Sequence, residues 1–234
     1  MRLFAIADPH LSLAEPKPMD VFGGNWEGHP EIFFRRWRET VAAEDLVLVP
    51  GDISWAMHLR DALLDLEAIG NLPGQKIILR GNHDYWWSGI GKVRSALPAG
   101  MFALQNDALR FGDLVVAGAR GWTCPGSFDF SEDDEKIYKR EVERLSLSLE
   151  AAAKLGGERL VVMLHYPPTN ARLEPSGFTE LLEAAKPEAV VFGHIHGEGS
   201  DLAVPDIKGA ALHFVAADAL SFRPKLILEV VQNV

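Results

Sequence analysis

The chain has 234 residues, of which 47% are hydrophobic and 24% charged, so it can bury a sizeable core and has the balance of a soluble globular protein. No apolar stretch reaches the length of a bilayer-spanning helix, and a formal net charge of −10 argues against the broad basic groove of a non-specific nucleic-acid binder. The single cysteine, Cys124, excludes an intrachain disulfide, and the N-terminal segment is apolar only from Leu3 to Ala7, too short for a secretion signal. These features set the expectation of one cytoplasmic domain over residues 1–234.

Residues 2–7 read as a first core strand running into Asp8-Pro9-His10. Residues 11–28 form a long loop rich in Pro and Gly, placed directly after two candidate ligands and so expected on the rim of a pocket. His29 beside it reads as a solvated loop histidine. A helix is predicted over 31–43 from the stripe Phe33, Phe34, Trp37 and Val41, with Pro30 at its start. A strand over 46–49 runs into Pro50-Gly51-Asp52. A helix over 58–69 follows, closed by Gly70, with His58 at its start.

A strand over 75–79 then leads to Arg80-Gly81-Asn82-His83-Asp84. Of Tyr85, Trp86 and Trp87, packing is the favoured reading over a face for an aromatic leaving group. Arg80 and Arg94 are candidate phosphate contacts, with surface salt bridging as the alternative. Short strands are predicted over 101–104, 109–111 and 114–119, followed by a turn-rich loop at 120–126 that includes Cys124, read as incidental. The longest helix is predicted over 131–155. Ser131 serves as its N-cap and Glu132, Asp133, Asp134 and Glu135 complement its dipole. Strands over 160–164 and 189–192 run into His165 and into Gly193-His194-Ile195-His196, around a helix over 178–185. Closing strands are predicted over 212–215 and 226–231, with His213 as a sheet histidine.

Five apolar runs of strand length thus end in side chains able to hold metal. Parallel strands buried on both faces read as near-continuous apolar runs, and ligands gather at their carboxyl ends. The tips offer Asp8, His10, Asp52, Asn82, His83, His165, His194 and His196. This mixed nitrogen and oxygen set suits Mn, Fe, Zn, Co or Ni and fits neither a thiolate zinc site nor an all-oxygen calcium site. The set is too large for one ion. Two ions sharing a carboxylate would use seven groups and leave one imidazole for acid/base work.

Asp8-x-His10, Gly51-Asp52, Gly81-Asn82-His83-Asp84, His165 and Gly193-His194-x-His196 resemble, in order and spacing, the motif set of the calcineurin-like metallophosphoesterases. That resemblance implies two packed mixed β-sheets flanked by helices, a four-layer α/β sandwich. It implies that Asp8, His10 and His196 hold a first metal, that Asn82, His165 and His194 hold a second, and that Asp52 bridges them. It also implies two divalent transition-metal ions, Mn favoured, and hydrolysis of phosphate mono- or diesters by a metal-bridging hydroxide. His83 would be the general acid, Asp84 would orient it, and Asn82 and His83 would contact the substrate. The expected partner is a small phosphorylated substrate, with no membrane association. The alternatives are a nuclease or cyclic-nucleotide phosphodiesterase of the same family and a non-catalytic metal-binding scaffold. The complete motif set disfavours the scaffold.

Overall fold

The computed structural model describes residues 1–197 and 205–229. The strands are β1 Arg2–Ala5, β2 Leu46–Pro50, β3 Gln75–Leu79, β4 Met101–Ala103, β5 Ala108–Phe111, β6 Leu114–Ala119, β7 Arg159–Leu164, β8 Ala189–Phe192, β9 Ala211–Phe214 and β10 Lys225–Glu229. The α-helices are α1 His29–Thr40, α2 Leu59–Gly70, α3 Ile90–Ala96, α4 Glu132–Leu155 and α5 Gly177–Ala185. No described helix is long and apolar enough to cross a membrane.

The strands form two five-stranded sheets, in the orders β10-β1-β2-β3-β4 and β5-β6-β7-β8-β9. Within each, the sequential strands run parallel and one edge strand, β10 or β5, is antiparallel. The alternation of side chains along each strand sets the layers. Leu46, Leu48, Ile77 and Leu79 of the first sheet face Val116, Val161, Met163 and Val191 of the second across the central core. Val47, Val49 and Ile78 point the other way, onto Phe33 and Trp37 of α1 and Leu66 and Ile69 of α2. Val162, Leu164, Val190 and Phe192 cover the outer face of the second sheet beneath Leu145 of α4 and Phe178 and Leu182 of α5. The result is the expected four-layer sandwich. Because the parallel strands share one direction, their carboxyl ends emerge along one edge of both sheets.

Most expected elements are present within one or two residues. The capping box of Ser131 with Asp134 starts α4 as anticipated. The first helix begins earlier than expected and stops at Thr40, because the buried Asp45 carboxylate accepts from the Ala42 and Arg2 backbone N–H groups and from the Arg2 side chain, pulling the chain out of helix. Helix α3 is absent from the elements expected from sequence: it is seven residues long, and Ile90 and Val93, with Leu97 just beyond its end, are its few apolar contacts with the core. The last expected strand extends to Val231, and residues 230 and 231 lie outside the described residues.

One buried charge in this framework has a measurable consequence. Lys76 on β3 is 2% exposed and its ammonium donates to the carbonyls of Gly70 and Leu72, at the cation-favouring end of α2. Burial nevertheless lowers its pKa to about 8. The folded protein therefore loses this proton at lower pH than the unfolded chain, whose value lies near 10.5, and stability rises with pH across that window. Lys76→Met is expected to remove this slope. Its stability relative to wild type, from urea melts, should be greater at pH 7 than at pH 10 by about 2 kcal/mol. Parallel pH profiles for the two proteins would contradict the assignment.

Candidate metal centre

The strand tips meet as a tight cage. The groups Asp8, His10, His196 and Asp52, His165, His194 each place their ligating atoms within 4.8 Å of one another. Asp52 Oδ2 lies between the two groups, 3.7 Å from His10 Nε2 and 3.5 Å from His165 Nε2. Asn82 Oδ1 is 2.7 Å from His165 Nε2, on the side of the second group, and His10 Nε2 is 3.3 Å from His196 Nε2 on the side of the first. Asp8 Oδ1 is 3.5 Å from His165 Nδ1 and 4.0 Å from His196 Nε2.

The backbone is bent to achieve this. Asp8, His10, Asp52 and His194 all have positive φ, between 45° and 76°. Left-handed backbone costs an ordinary L-residue about 1–2 kcal/mol, and such strain gathers where function requires it. Each bend turns the chain at the end of a strand so that its side chain faces the gap between the sheets. The glycines beside them permit the approach. A Cβ on Gly81 would overlap the backbone nitrogen and Oδ1 of Asp52, and one on Gly193 would overlap Asp8 Oδ2. Gly51 at φ 98° would place a Cβ 2.7 Å from Gly81 Cα and from His165 Nδ1. The motif glycines are thus the space in which the carboxylates sit.

The donor set fits a pair of divalent cations. Asp8 Oδ1 and His194 Nδ1 are buried with no hydrogen-bond partner, an expensive state unless an ion takes them up. Comparison with known proteins then decides the family. The model of the calcineurin-like phosphoesterases matches residues 1–198.

The chain belongs to the calcineurin-like phosphoesterase family.

Comparison with curated protein sequences finds no match. Among solved structures, this phosphoesterase is similar to the phosphopantetheinyl hydrolase PptH from Mycobacterium tuberculosis, with TM-score 0.56 and 12% identity over 100% of this chain and 98% of that one. It is also similar to a protein of unknown function, AQ665, from Aquifex aeolicus, with TM-score 0.49 and 13% identity over 96% and 94%.

The electrostatics of the phosphoesterase site suit metal binding. Burial holds the pKa of His10 well below the usual imidazole range and lowers that of His165 to about 3. Burial also pushes His194 down, helped by the neighbouring His165. Neutral imidazoles keep the lone pairs that a cation needs. Burial raises Asp8 well above the ordinary carboxylate value and Asp52 to about 6, an environment in which a bound cation would favour the charged carboxylates.

Several expected contacts are placed differently. Asp84 does not orient the His83 ring. Its fully buried carboxylate accepts from the backbone N–H groups of Gly81, Ile53 and Ser54 and from Trp86 Nε1, tying the Asn82 turn to the Asp52 turn. The His83 ring instead lies against Trp55 at 4.5 Å between centroids, with Nδ1 3.4 Å from the Tyr85 hydroxyl. His29 is not solvated. It is buried, with its two ring nitrogens at the carbonyls of Trp26 and His10, so it braces the backbone of a ligand-bearing turn. Trp86 and Trp87 pack in the core as favoured, whereas Tyr85 is exposed. Arg94 is held by the Ala103 carbonyl and Asp107, away from a phosphate role.

The loop of residues 11–28 does border the site, through Trp26 against His10 and His196 and Lys17 over Trp55. Cys124 is buried with its thiol pushed up by burial to about 11, an unreactive state. Asp218 escaped the sequence reading. It accepts from His196 Nδ1 at 3.0 Å and from the Gly197 N–H, fixing the ring so that Nε2 faces the cage. Although burial alone would lower it, His196 has a raised pKa because Asp218 and Asp8 outweigh that effect. The signal was present: Asp218 follows the apolar run 214–217, the same run-then-donor pattern as the other tips.

Proposed function

We propose that this phosphoesterase is a hydrolase of phosphate mono- or diesters that works with two divalent transition-metal cations. Asp8, His10 and His196 would hold one, Asn82, His165 and His194 the other, and Asp52 would touch both. The position of Asp52 Oδ2, within 3.7 Å of a donor in each group, is the observation that carries this reading. Bound there, a pair of such cations supplies a water of near-neutral pKa and neutralises charge on the phosphoryl group.

The chain's own residues supply the rest. Asn82 and His83, each half-buried and so partly open to solvent, would contact the substrate phosphate. His83 donates a proton to the leaving-group oxygen as general acid. Its backbone N–H holds Asp52 Oδ1 at 2.8 Å, so the same turn serves the cage and the proton donor. The Trp55 ring, 4.5 Å from that of His83 between centroids, and the Tyr85 hydroxyl, 3.4 Å from Nδ1, restrict where the imidazole can point. The net charge of −10 favours a small phosphorylated substrate over a nucleic-acid duplex, and a cytoplasmic setting agrees with the single buried thiol.

A panel of aryl phosphate mono- and diesters, run with Mn, Fe, Zn, Co and Ni in turn, tests the proposal. Hydrolysis is expected to depend on added metal, with Mn favoured, and to vanish with chelator. Failure to cleave either ester class with any of these ions would overturn it.

A further inference from the structure

One strand over from the cage, at the same carboxyl edge of both sheets, lies a cavity of about 80 Å³ lined by Arg80, Arg120, Arg144, Glu141, Gln105 and Asn106. Arg80 directly follows β3 and stands two residues before Asn82. Arg120 directly follows β6, and its carbonyl accepts from the backbone N–H groups of His165 and Tyr166, both at 3.0 Å. Two residues of the cavity wall are therefore joined through the backbone to the half of the cage built by Asn82 and His165.

Its charge is not balanced. Three guanidinium groups face one carboxylate. Glu141 Oε1, fully buried, accepts from Arg120 at 3.0 Å and Arg144 at 2.7 Å. Arg80 has no hydrogen bond or ion pair among the described residues, and its Nε is buried without an acceptor. Several other arginines of this acidic chain meet a carboxylate, as in Arg2–Asp45, Arg94–Asp107 and Arg159–Glu188, and Arg36, whose Nε is also buried without an acceptor, does not line this cavity. A guanidinium held in a polar recess without a counter-charge is costly, and an oxyanion that accepts its fork of donors removes that cost. The field of Arg120 is felt at Asp52 and His165, which ties this recess electrostatically to the cage.

We propose that this cavity is a subsite for a second phosphate group carried by the substrate, with Arg80 as its principal contact and Arg144 completing the fork. The inference rests on the hydrolase reading and narrows it to molecules bearing two phosphates. A molecule whose scissile phosphate sits at the cage would place the other in the recess beyond Asn82. Such a contact selects between substrates rather than making or breaking a bond.

Two measurements on the full chain test it, and they fail independently of each other. With the metal-loaded protein, kcat/KM is compared for a nucleoside 3′,5′-bisphosphate and for the corresponding nucleoside 5′-monophosphate. Arg80→Gln is expected to lower the ratio of the two by about ten- to a hundred-fold, the worth of hydrogen bonds to a charged group, and Arg80→Lys to restore part of it. An equal loss on both substrates, or none, would overturn the subsite. With chelator-treated protein, inorganic phosphate is titrated calorimetrically at low ionic strength. Binding of about one phosphate per chain that weakens at least ten-fold in Arg80→Gln is the expected result. No binding by wild type, or equal binding by the variant, would overturn it. If the loaded protein cleaves no phosphate ester at all, the hydrolase reading falls, and the phosphate titration still judges the cavity.

Discussion

Asp52→Asn is expected to abolish the paired metal site and to reduce ester hydrolysis by about a thousand-fold or more, the several kcal/mol that a metal pair contributes to such a reaction. The reason is geometric before it is electrostatic. Asp52 Oδ2 is placed 3.7 Å from His10 Nε2 and 3.5 Å from His165 Nε2, while Oδ1 is held by the His83 backbone N–H. An amide at this position keeps the size but loses the negative charge. It also presents either one oxygen or an NH₂ group toward the cage, and an NH₂ group cannot ligate a cation. The fold should survive, since removing a carboxylate whose pKa is raised by burial relieves a desolvation cost. Metal content after dialysis, measured by elemental analysis, would fall from two ions per chain to one or none. A variant that retained two ions and more than a tenth of wild-type turnover would sink the bridging role.

His83→Ala separates holding the metals from protonating the leaving group. Its side chain meets Trp55 and Tyr85, yet the group that positions Asp52 is its backbone N–H, which alanine keeps. The variant is therefore expected to bind metal as wild type does. Turnover of esters with poorly stabilised alkoxide leaving groups should drop by about 10²–10⁴-fold, the usual worth of a general acid. Esters whose leaving group departs without a proton, such as a nitrophenolate, should lose far less. The contrast between the two substrate types is the diagnostic. Equal losses on both would indicate a binding role for the ring, and full activity on both would reject any role in proton transfer.

The cage was legible because its construction is local. Each ligand stands where an apolar strand ends, and an apolar run followed by a polar donor is visible in any short window of sequence. Spacing within a motif, as in Asp8-x-His10, is likewise a local property. The two sheets were legible for a related reason: strands buried on both faces must be apolar throughout, and β2, β6 and β8 are. Helix α3 was not legible, because its seven residues hold only Ile90 and Val93 on the core side, too short a run for a helical period to stand out. Asp218 carried the same signal as the other tips, but unlike the single donors Asp52 and His165 it lies outside the motif set that marked them.

What sequence alone determined, then, is the inventory: the donors, the strands that deliver them, and the glycines that lie beside them. Tertiary structure decided the partners. The carboxylate of Asp84 serves backbone N–H groups thirty or so positions away in sequence and not the imidazole next to it. His29 braces the His10 carbonyl, and Arg80 is left facing a cavity while Arg94 is consumed by a carbonyl and a carboxylate. The physical reason is that residue type and local period fix what a side chain can offer and where along its element it projects. Which group accepts that offer depends on how separate elements pack, and distance in space between them is not encoded by distance along the chain.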